Sequence, residues 1–339
     1  MPTSLPLPTP RTIGLTIVAM LAFAANSVLC RLALARGSID PASFTLVRVG
    51  SGVATLWLML ALMGTGSVMQ GSWRAAFALF AYAAGFSFAY VTLSAGAGAL
   101  VLFGAVQATM VTTGLVRGER LTVSQWFGLV VALAGLAALL TPGAAAPPIG
   151  GALLMLAAGV AWGAYSLLGR SAVDALPGTA GNFLRALPMA VALAVAFDTK
   201  LDQSGLVYAI MSGAVASGLG YTIWYAALPG LSPAQGASVQ LSVPVITALA
   251  GTIALGEAIT IRLSLSSIAI LGGIALVFAR RPRARQSLRR EAAIPSSAEA
   301  GALAASVRQA QSANWPFCRP AAPTGILLRL RDRACGSSG

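Results

Sequence analysis

Ten apolar runs follow one another along the chain with little between them, near residues 12–31, 43–62, 74–92, 95–116, 122–140, 149–169, 181–197, 206–227, 233–255 and 262–279. Each is long enough to cross ~30 Å of hydrocarbon as a helix. A helix is one of the few structures that can do so, because it satisfies its own backbone N–H and C=O groups where no water can. Composition agrees. Only 9% of the residues are charged and 57% are hydrophobic, whereas soluble domains carry about a quarter charged residues. A soluble enzyme, a disordered chain and a coiled coil are excluded. The sequence predicts an all-α integral membrane protein of ten transmembrane helices. Ala33-Leu34-Ala35 resembles a signal-peptide cleavage site, but the preceding apolar stretch is long for a secretory signal and nine more follow, so the first run is read as a retained helix.

The 22 basic residues outnumber the nine acidic ones, a balance that elsewhere would point to nucleic acid. Its location argues otherwise. Residues 280–339 hold eleven arginines against three acids, a net of +8, while residues 1–279 hold eleven basic residues against six acidic, a net of +5. The excess is mainly a tail feature, with no nucleic-acid-binding face. The tail is rich in Ala, Arg, Ser and Pro and is expected to be disordered. Its Arg280–Arg290 cluster reads as a positive-inside signal or as a tether to anionic lipid. With the N-terminus inside, Arg11, Arg74, Arg117, Arg120, Arg170 and the six arginines of that cluster are cytoplasmic, against Arg31, Arg36, Lys200 and Arg262 on the other side. Both termini are therefore expected in the cytoplasm, and the lipid bilayer is the first partner.

Several chemistries are missing. The chain has no histidine, three cysteines without CxxC spacing (Cys30, Cys318, Cys335) and one lysine, Lys200, in no phosphate-binding loop. His-centred triads, zinc clusters and a resident ATPase have no support, and no cofactor or metal is expected.

The chain repeats itself. GERLT at 118–122 matches GEAIT at 256–260, an offset of 138; Ser27–Arg31 matches Ser166–Arg170 at 139; Arg48 in FTLVR matches Arg185 in NFLR at 137; Gln107 matches Gln240 at 133. Four matches in order divide the body into two five-helix units, 11–140 and 149–279, between a short cytoplasmic N-terminus (1–10) and the tail (280–339). Five is odd, so the second unit enters the membrane upside down. The expected architecture is two inverted five-helix repeats, the plan of secondary transporters that carry substrate near the midplane between the halves.

At these residues the chain resembles the drug/metabolite transporter superfamily, in its EamA-type branch. The resemblance covers about 11–280 and rests on the two five-helix units, on GERLT and GEAIT, and on the Gln-Leu-Ser-Val-Pro-Val run at 240–245. It implies a carrier of small metabolites in a bacterial inner membrane, often an exporter of amino acids or related compounds. The first unit lacks a counterpart of Pro244, and its Gln-to-Glu spacing is 12 residues (Gln107 to Glu119) against 17 in the second (Gln240 to Glu257).

Polar groups at membrane depth are functional candidates by default. Arg48 and Arg185 fall about one turn inside the second and seventh runs, where they either snorkel or bind. Asn26 pairs with Tyr165 and Gln107 with Gln240 in the repeat, and Tyr90 and Tyr225 lie on the third and eighth runs. These eight are the candidate substrate-binding residues. Pro244 cannot donate to the carbonyl of Gln240, which suggests an opened backbone facing a cavity. Trp224 reads as an interfacial belt residue. The pairs Gly159/Gly163 and Gly213/Ser217 read as close helix packing. Glu119 and Glu257 end the fourth and ninth helices ahead of the N-capping threonines Thr122 and Thr260. Together with Arg31 and Arg170 they form a candidate gate: Glu257 with Arg48 or Arg31 at one face, Glu119 with Arg185 or Arg170 at the other. The expected function is secondary transport of a small polar metabolite by alternating access, with a homodimer left open. The competing reading is an integral-membrane enzyme acting on lipid-linked substrates, against which the missing histidine and clustered carboxylates weigh.

Overall fold

The computed structural model describes residues 9–64, 70–118, 120–143, 146–169, 175–231, 236 and 239–279. All fall within Met1–Arg281, the first of two units into which the chain divides. Glu119, Arg170 and the tail lie outside the described residues. Ten helical rods make up the described body: α1 (Pro10–Ala35), α2 (Pro41–Leu62), α3 (Trp73–Tyr90), α4 (Ala95–Val116), α5 (Val123–Leu140), α6 (Ile149–Gly169), α7 (Ala175–Val195), α8 (Gln203–Ala227), α9 (Ser242–Leu255) and α10 (Ile261–Ala279). No strand occurs among the described residues; the α1–α2 and α7–α8 loops share a single bridge, Ile39 to Leu201. Seven of the rods are long and apolar enough to span a bilayer on length and composition, and α9 and α10 are shorter apolar helices. The eighteen-residue α3 is interrupted by polar side chains and turns Tyr82, Phe86, Ser87 and Tyr90 inward.

Local chemistry sets the helix starts. Thr9, Asp40, Ser72, Ser94 and Thr122 each accept a backbone N–H of the first turn that the helix itself leaves unpaired. Pro10 and Pro41 occupy first-turn positions where a missing N–H costs nothing. Thr122 and Gln125 close a capping box, and Thr260 accepts the N–H of Leu263 at 3.1 Å. One helix differs from the apolar-run reading. α7 begins at Ala175, six residues before the expected 181, because its opening Ala-Leu-Pro-Gly-Thr-Ala-Gly turn is helical without being strongly apolar. Continuous α9 begins at Ser242, after a turn at Leu241 within one helical turn of Pro244. In the run's earlier part from 233, residues 236, 239 and 240 are helical, and the others lie outside the described residues.

α8 is not uniform. Residues Gln203–Ile210 and Gly220–Ala227 are α-helical, but Met211–Leu219 between them winds as a π-helix. Such segments are rare and often sit at functional sites. Here Gly213 lies against the backbone of Arg48, where a Cβ would strike the Arg48 carbonyl.

Packing between rods follows an exchange rule. α2 packs on α7, α4 on α9 and α5 on α10; α3 packs on α6 as α1 packs on α8; α4 packs on α6 as α1 packs on α9. Swapping the first five helices for the last five maps this set onto itself. Glycines allow the close approaches: Gly159 sits on Leu102 and Ala105 of α4, Gly163 on Thr109, and Gly128 and Gly273 bring α5 against α10.

Candidate functional site

A cavity of about 370 Å³ lies inside the bundle, between the two five-helix units. Its wall is assembled from repeat-related residues. From α1 and α6 come Phe23 and Trp162, Asn26 and Tyr165, and Ser27 and Ser166, each pair 139 residues apart. From α3 and α8 come Tyr82 and Tyr221, and Phe86 and Tyr225, again at 139. From α4 and the stretch before α9 come Phe103 and Gly236, and Gln107 and Gln240, at 133. Each of these pairs joins a residue of the first five helices, or of the turns that follow them, to one of the last five or their connections.

The rings touch one another. Trp162 is the hub, with its centroid 4.7 Å from Tyr82, 5.3 Å from Tyr221 and 5.4 Å from Tyr165. Tyr82 continues to Phe86 at 5.3 Å, and Phe23 reaches Tyr221 and Trp224 edge-on. These are ordinary aromatic pair distances, so the wall is stiff as well as apolar. Polar groups are few: Asn26, Ser27, Gln107, Ser166, Gln240 and the phenols. None of the lining residues among the described ones is acidic or basic. Gln107 is 3% exposed, and its Oε1 has no hydrogen-bond partner among the described residues.

Behind Tyr82 and Phe86 stands Arg48. It lies seven residues into α2, roughly 10 Å along the helix, and is 2% exposed. Its guanidinium carbon is 5.1 Å from the Tyr82 ring centroid and 4.8 Å from that of Phe86, and Nη2 donates to the Tyr82 hydroxyl at 2.9 Å. Asn26 Nδ2 donates to the same oxygen at 3.3 Å, while Asn26 Oδ1 accepts from Ser212 Oγ at 2.6 Å. Ser212 lies in the π-helical segment of α8, which links that irregularity to the wall.

One end of the bundle is tied shut. Arg31 and Glu257, each 18% exposed, pair at 2.9 Å across the two units. Arg31 Nη1 also donates to the carbonyls of Tyr90 and Val91, and Glu257 Oε2 accepts the N–H of Ala95 at 2.7 Å. A carboxylate at the N-terminus of α4 is favoured by that helix's dipole. A second tie joins the α1–α2 and α7–α8 loops at the same end: Asp40 N–H to the Lys200 carbonyl at 2.9 Å, Lys200 N–H to Asp40 Oδ2 at 3.0 Å, and Asp202 N–H to the Ser38 carbonyl at 2.8 Å. The cavity lies on the other side of this layer, toward the C-terminal halves of α4, α6 and α8.

The structure brings together Asn26, Gln107, Tyr165, Tyr225 and Gln240 of the eight expected binding residues. Arg48 is one layer out. It lies two turns inside α2, because that helix begins at Pro41, and it does not snorkel. Tyr90 is fully buried away from the wall, donating to the Ala95 carbonyl at 3.3 Å. Arg185 is not at the wall; it reaches the carbonyls of Gln70 and Gly181 near the opposite end of the bundle. Of the two expected partners of Glu257, Arg31 makes the pair and Arg48 does not. The Glu119 half of the gate lies outside the described residues. Trp224, read as a belt residue, is 8% exposed and lines the cavity. Sequence reasoning singles out Tyr221 on the eighth run but misses Tyr82, Trp162 and Ser212. The 139-residue offset already flags the first two of these, since it joins Tyr82 to Tyr221 and Phe23 to Trp162; nothing local marks Ser212.

The matches to known proteins agree with this architecture. A solved crystal structure of a protein shares 22% identity and a TM-score of 0.59 with this chain, over 80% of this chain and 98% of that one, which is a likeness of fold. An uncharacterised protein of Pseudomonas aeruginosa is 56% identical over 278 residues, 81% of this chain and 97% of its own length. An uncharacterised transporter of Archaeoglobus fulgidus is 26% identical over 196 residues, 56% of this chain and 70% of its own. Residues 149–279, the run from the first residue of α6 to the last of α10, match the EamA-like transporter family. The chain is an integral membrane protein of the EamA branch of the drug/metabolite transporters.

Proposed function

We propose that this transporter is a secondary carrier that exports small polar metabolites, amino acids or related compounds, across a bacterial inner membrane by alternating access. The observation that carries the reading is the cavity itself. Its wall takes seven pairs of equivalent residues from the two units, while the Arg31–Glu257 layer that closes one end also joins the two units. A site on the axis between inverted repeats can face either side when the repeats exchange conformations. The positive-inside count supports an N-terminus in the cytoplasm. On that orientation the closed layer is external, the cavity lies on the cytoplasmic side, and the conformation is one that loads an exported substrate.

The test is counterflow. Proteoliposomes preloaded with an unlabelled metabolite should accelerate uptake of the same labelled metabolite, with saturation. Candidates come from a screen for metabolites whose toxicity is relieved by overexpression. Flux that neither saturates nor responds to preloading would mean a pore. Reporter fusions check the topology: one after residue 145 should be periplasmic and one after residue 285 cytoplasmic. Both on one side would defeat the inverted repeat.

A further inference from the structure

Arg48 is a buried cation with no anion beside it among the described residues. Among the described residues the acids are Asp40, Asp198, Asp202 and Glu257, and all four lie at the bundle end where α1 finishes, in or beside connecting loops. Arg48 instead faces two ring faces and one phenol oxygen, and its Nη1 has no hydrogen-bond partner among the described residues. Buried charges are normally paired, and an intramembrane cation held only by π faces and one phenol oxygen points to a counter-charge from outside the chain.

The hydrogen bonds show where that counter-charge would arrive. Ser212 Oγ and Asn26 Oδ1 are 2.6 Å apart, the spacing of an O–H···O bond and short for N–H···O. That fixes the Asn26 amide with Nδ2 toward Tyr82. The Tyr82 oxygen therefore accepts twice, from Asn26 and from Arg48. A phenol has two acceptor lone pairs and one proton. With both lone pairs engaged, the Tyr82 proton is left to donate, and no acceptor for it occurs among the described residues. Tyr82 lines the cavity. A cationic donor on the phenol oxygen polarises its O–H and strengthens the bond that it offers.

We propose that the cavity binds a small planar organic anion, whose carboxylate or equivalent oxyanion accepts the Tyr82 O–H while its ring lies among Trp162 and Tyr221. Arg48 is a positioning residue: it supplies the counter-charge and acts through Tyr82. Aromatic walls also bind cations, but the faces of Tyr82 and Phe86 already hold one, and no wall residue among those described is acidic, so a cationic guest is disfavoured. The cavity volume is at the small end of the small-molecule range, as a compound of one or two rings requires. The proposal deepens the carrier reading and rests on it for the identity of the site.

The probes are benzoate, benzamide and benzylamine, which share a ring and differ in charge. Binding is followed by tryptophan fluorescence of the purified full chain in nanodiscs at pH 7. Benzoate should bind about tenfold or more tighter than benzamide, with benzylamine weakest. Tyr82→Phe keeps the ring and removes the donor, so benzoate should lose more affinity than benzamide and its advantage should fall to about onefold. Benzamide or benzylamine matching benzoate, no binding by any of the three, or an undiminished benzoate preference in Tyr82→Phe would each overturn the proposal. Counterflow separates the two levels. Benzoate that binds with this selectivity but is not exchanged leaves the anion site and removes the carrier; exchange of a cationic amine in its place leaves the carrier and removes the anion site.

Discussion

Arg48 and Arg185 occupy matching positions in the two repeats, yet the fold treats them oppositely. Arg48 is sealed among aromatic rings beside the cavity. Arg185 stands near a bundle end, where its Nη1 donates to the carbonyls of Gln70 and Gly181. The uncharged wall residues do not diverge in this way: Asn26 and Tyr165, Gln107 and Gln240, Tyr82 and Tyr221 all reach the same cavity. Pseudo-symmetry is thus kept in the wall and broken in the charge behind it. A paired wall suits the proposed exchange of conformations between repeats, while Arg48, whose counterpart Arg185 does not reach the wall, would give the cavity a chemical direction.

The largest expected effect separates the two arginines. Arg48→Met removes a buried cation along with its π contacts and one hydrogen bond. Losing the charge relieves desolvation, so thermal stability should fall by no more than ~1 kcal/mol and can rise. Binding of a ring carboxylate should weaken at least about tenfold. Arg185→Met should do the reverse, costing ~1 kcal/mol of stability through its lost carbonyl contacts and changing binding less than about twofold. Thermal unfolding and ligand titration on both variants decide it. Equal binding losses would mean that the two sites are functionally alike despite their surroundings.

A smaller effect is expected at the closed end, which has its own asymmetry of charge. Glu257→Gln leaves an acceptor for the Ala95 N–H but removes the ion pair with Arg31. A half-buried pair with added hydrogen bonds is worth ~1–2 kcal/mol, so the population open toward that end should rise roughly tenfold. The readout is a cavity cysteine, Ser27→Cys, in a cysteine-free background, labelled by an impermeant reagent from each side. Unchanged labelling would make Arg31 and Glu257 a structural brace and not a gate.

How much of this was legible beforehand differs between backbone and site. Long apolar runs located nine of the ten helices to within a few residues where they are described, because membrane helices advertise themselves by composition. α7 was displaced because its first turns are small, proline- and glycine-containing sequence that hydropathy does not distinguish from a loop. In the site, identical residues such as Gln107 and Gln240 stood out, whereas Phe23 and Trp162 are equivalent without being identical. Trp224 shows a different difficulty. An aromatic near a helix end has the same sequence signature whether it faces headgroups or a cavity, and only the path of α8 places it inside. Arg48 was recognisable as intramembrane, but whether it touched the cavity or stood behind it depended on the rotation of α2, which the weakly amphipathic apolar sequence does not set.

The smallest expected effect concerns the second tie at the closed end, where Asp40 does two jobs. Its Oδ1 caps α2 by accepting from Ala42 and Ser43, and its Oδ2 accepts the N–H of Lys200 from the other unit. Partial burial alone would raise its pKa, but the hydrogen bonds from Ser43, Lys200 and Ala42 outweigh that and hold the carboxyl below its ordinary value. A depressed folded pKa means that the ionised group stabilises the native state fully above the unfolded value of ~3.9, and that this contribution fades as pH falls through the folded value. The tie should therefore loosen only below about pH 4. Asn is nearly as good an N-cap as Asp and keeps an acceptor oxygen, so with Asp40 only partly buried Asp40→Asn at pH 7 should cost less than ~0.5 kcal/mol. Hydrogen exchange at the Lys200 amide, followed from pH 7 to pH 3 and corrected for intrinsic rates, should show wild-type protection falling at the acid end while Asp40→Asn stays level. A parallel fall in both would assign the tie to the backbone pairing of Ile39 with Leu201, leaving the carboxylate as a helix cap alone.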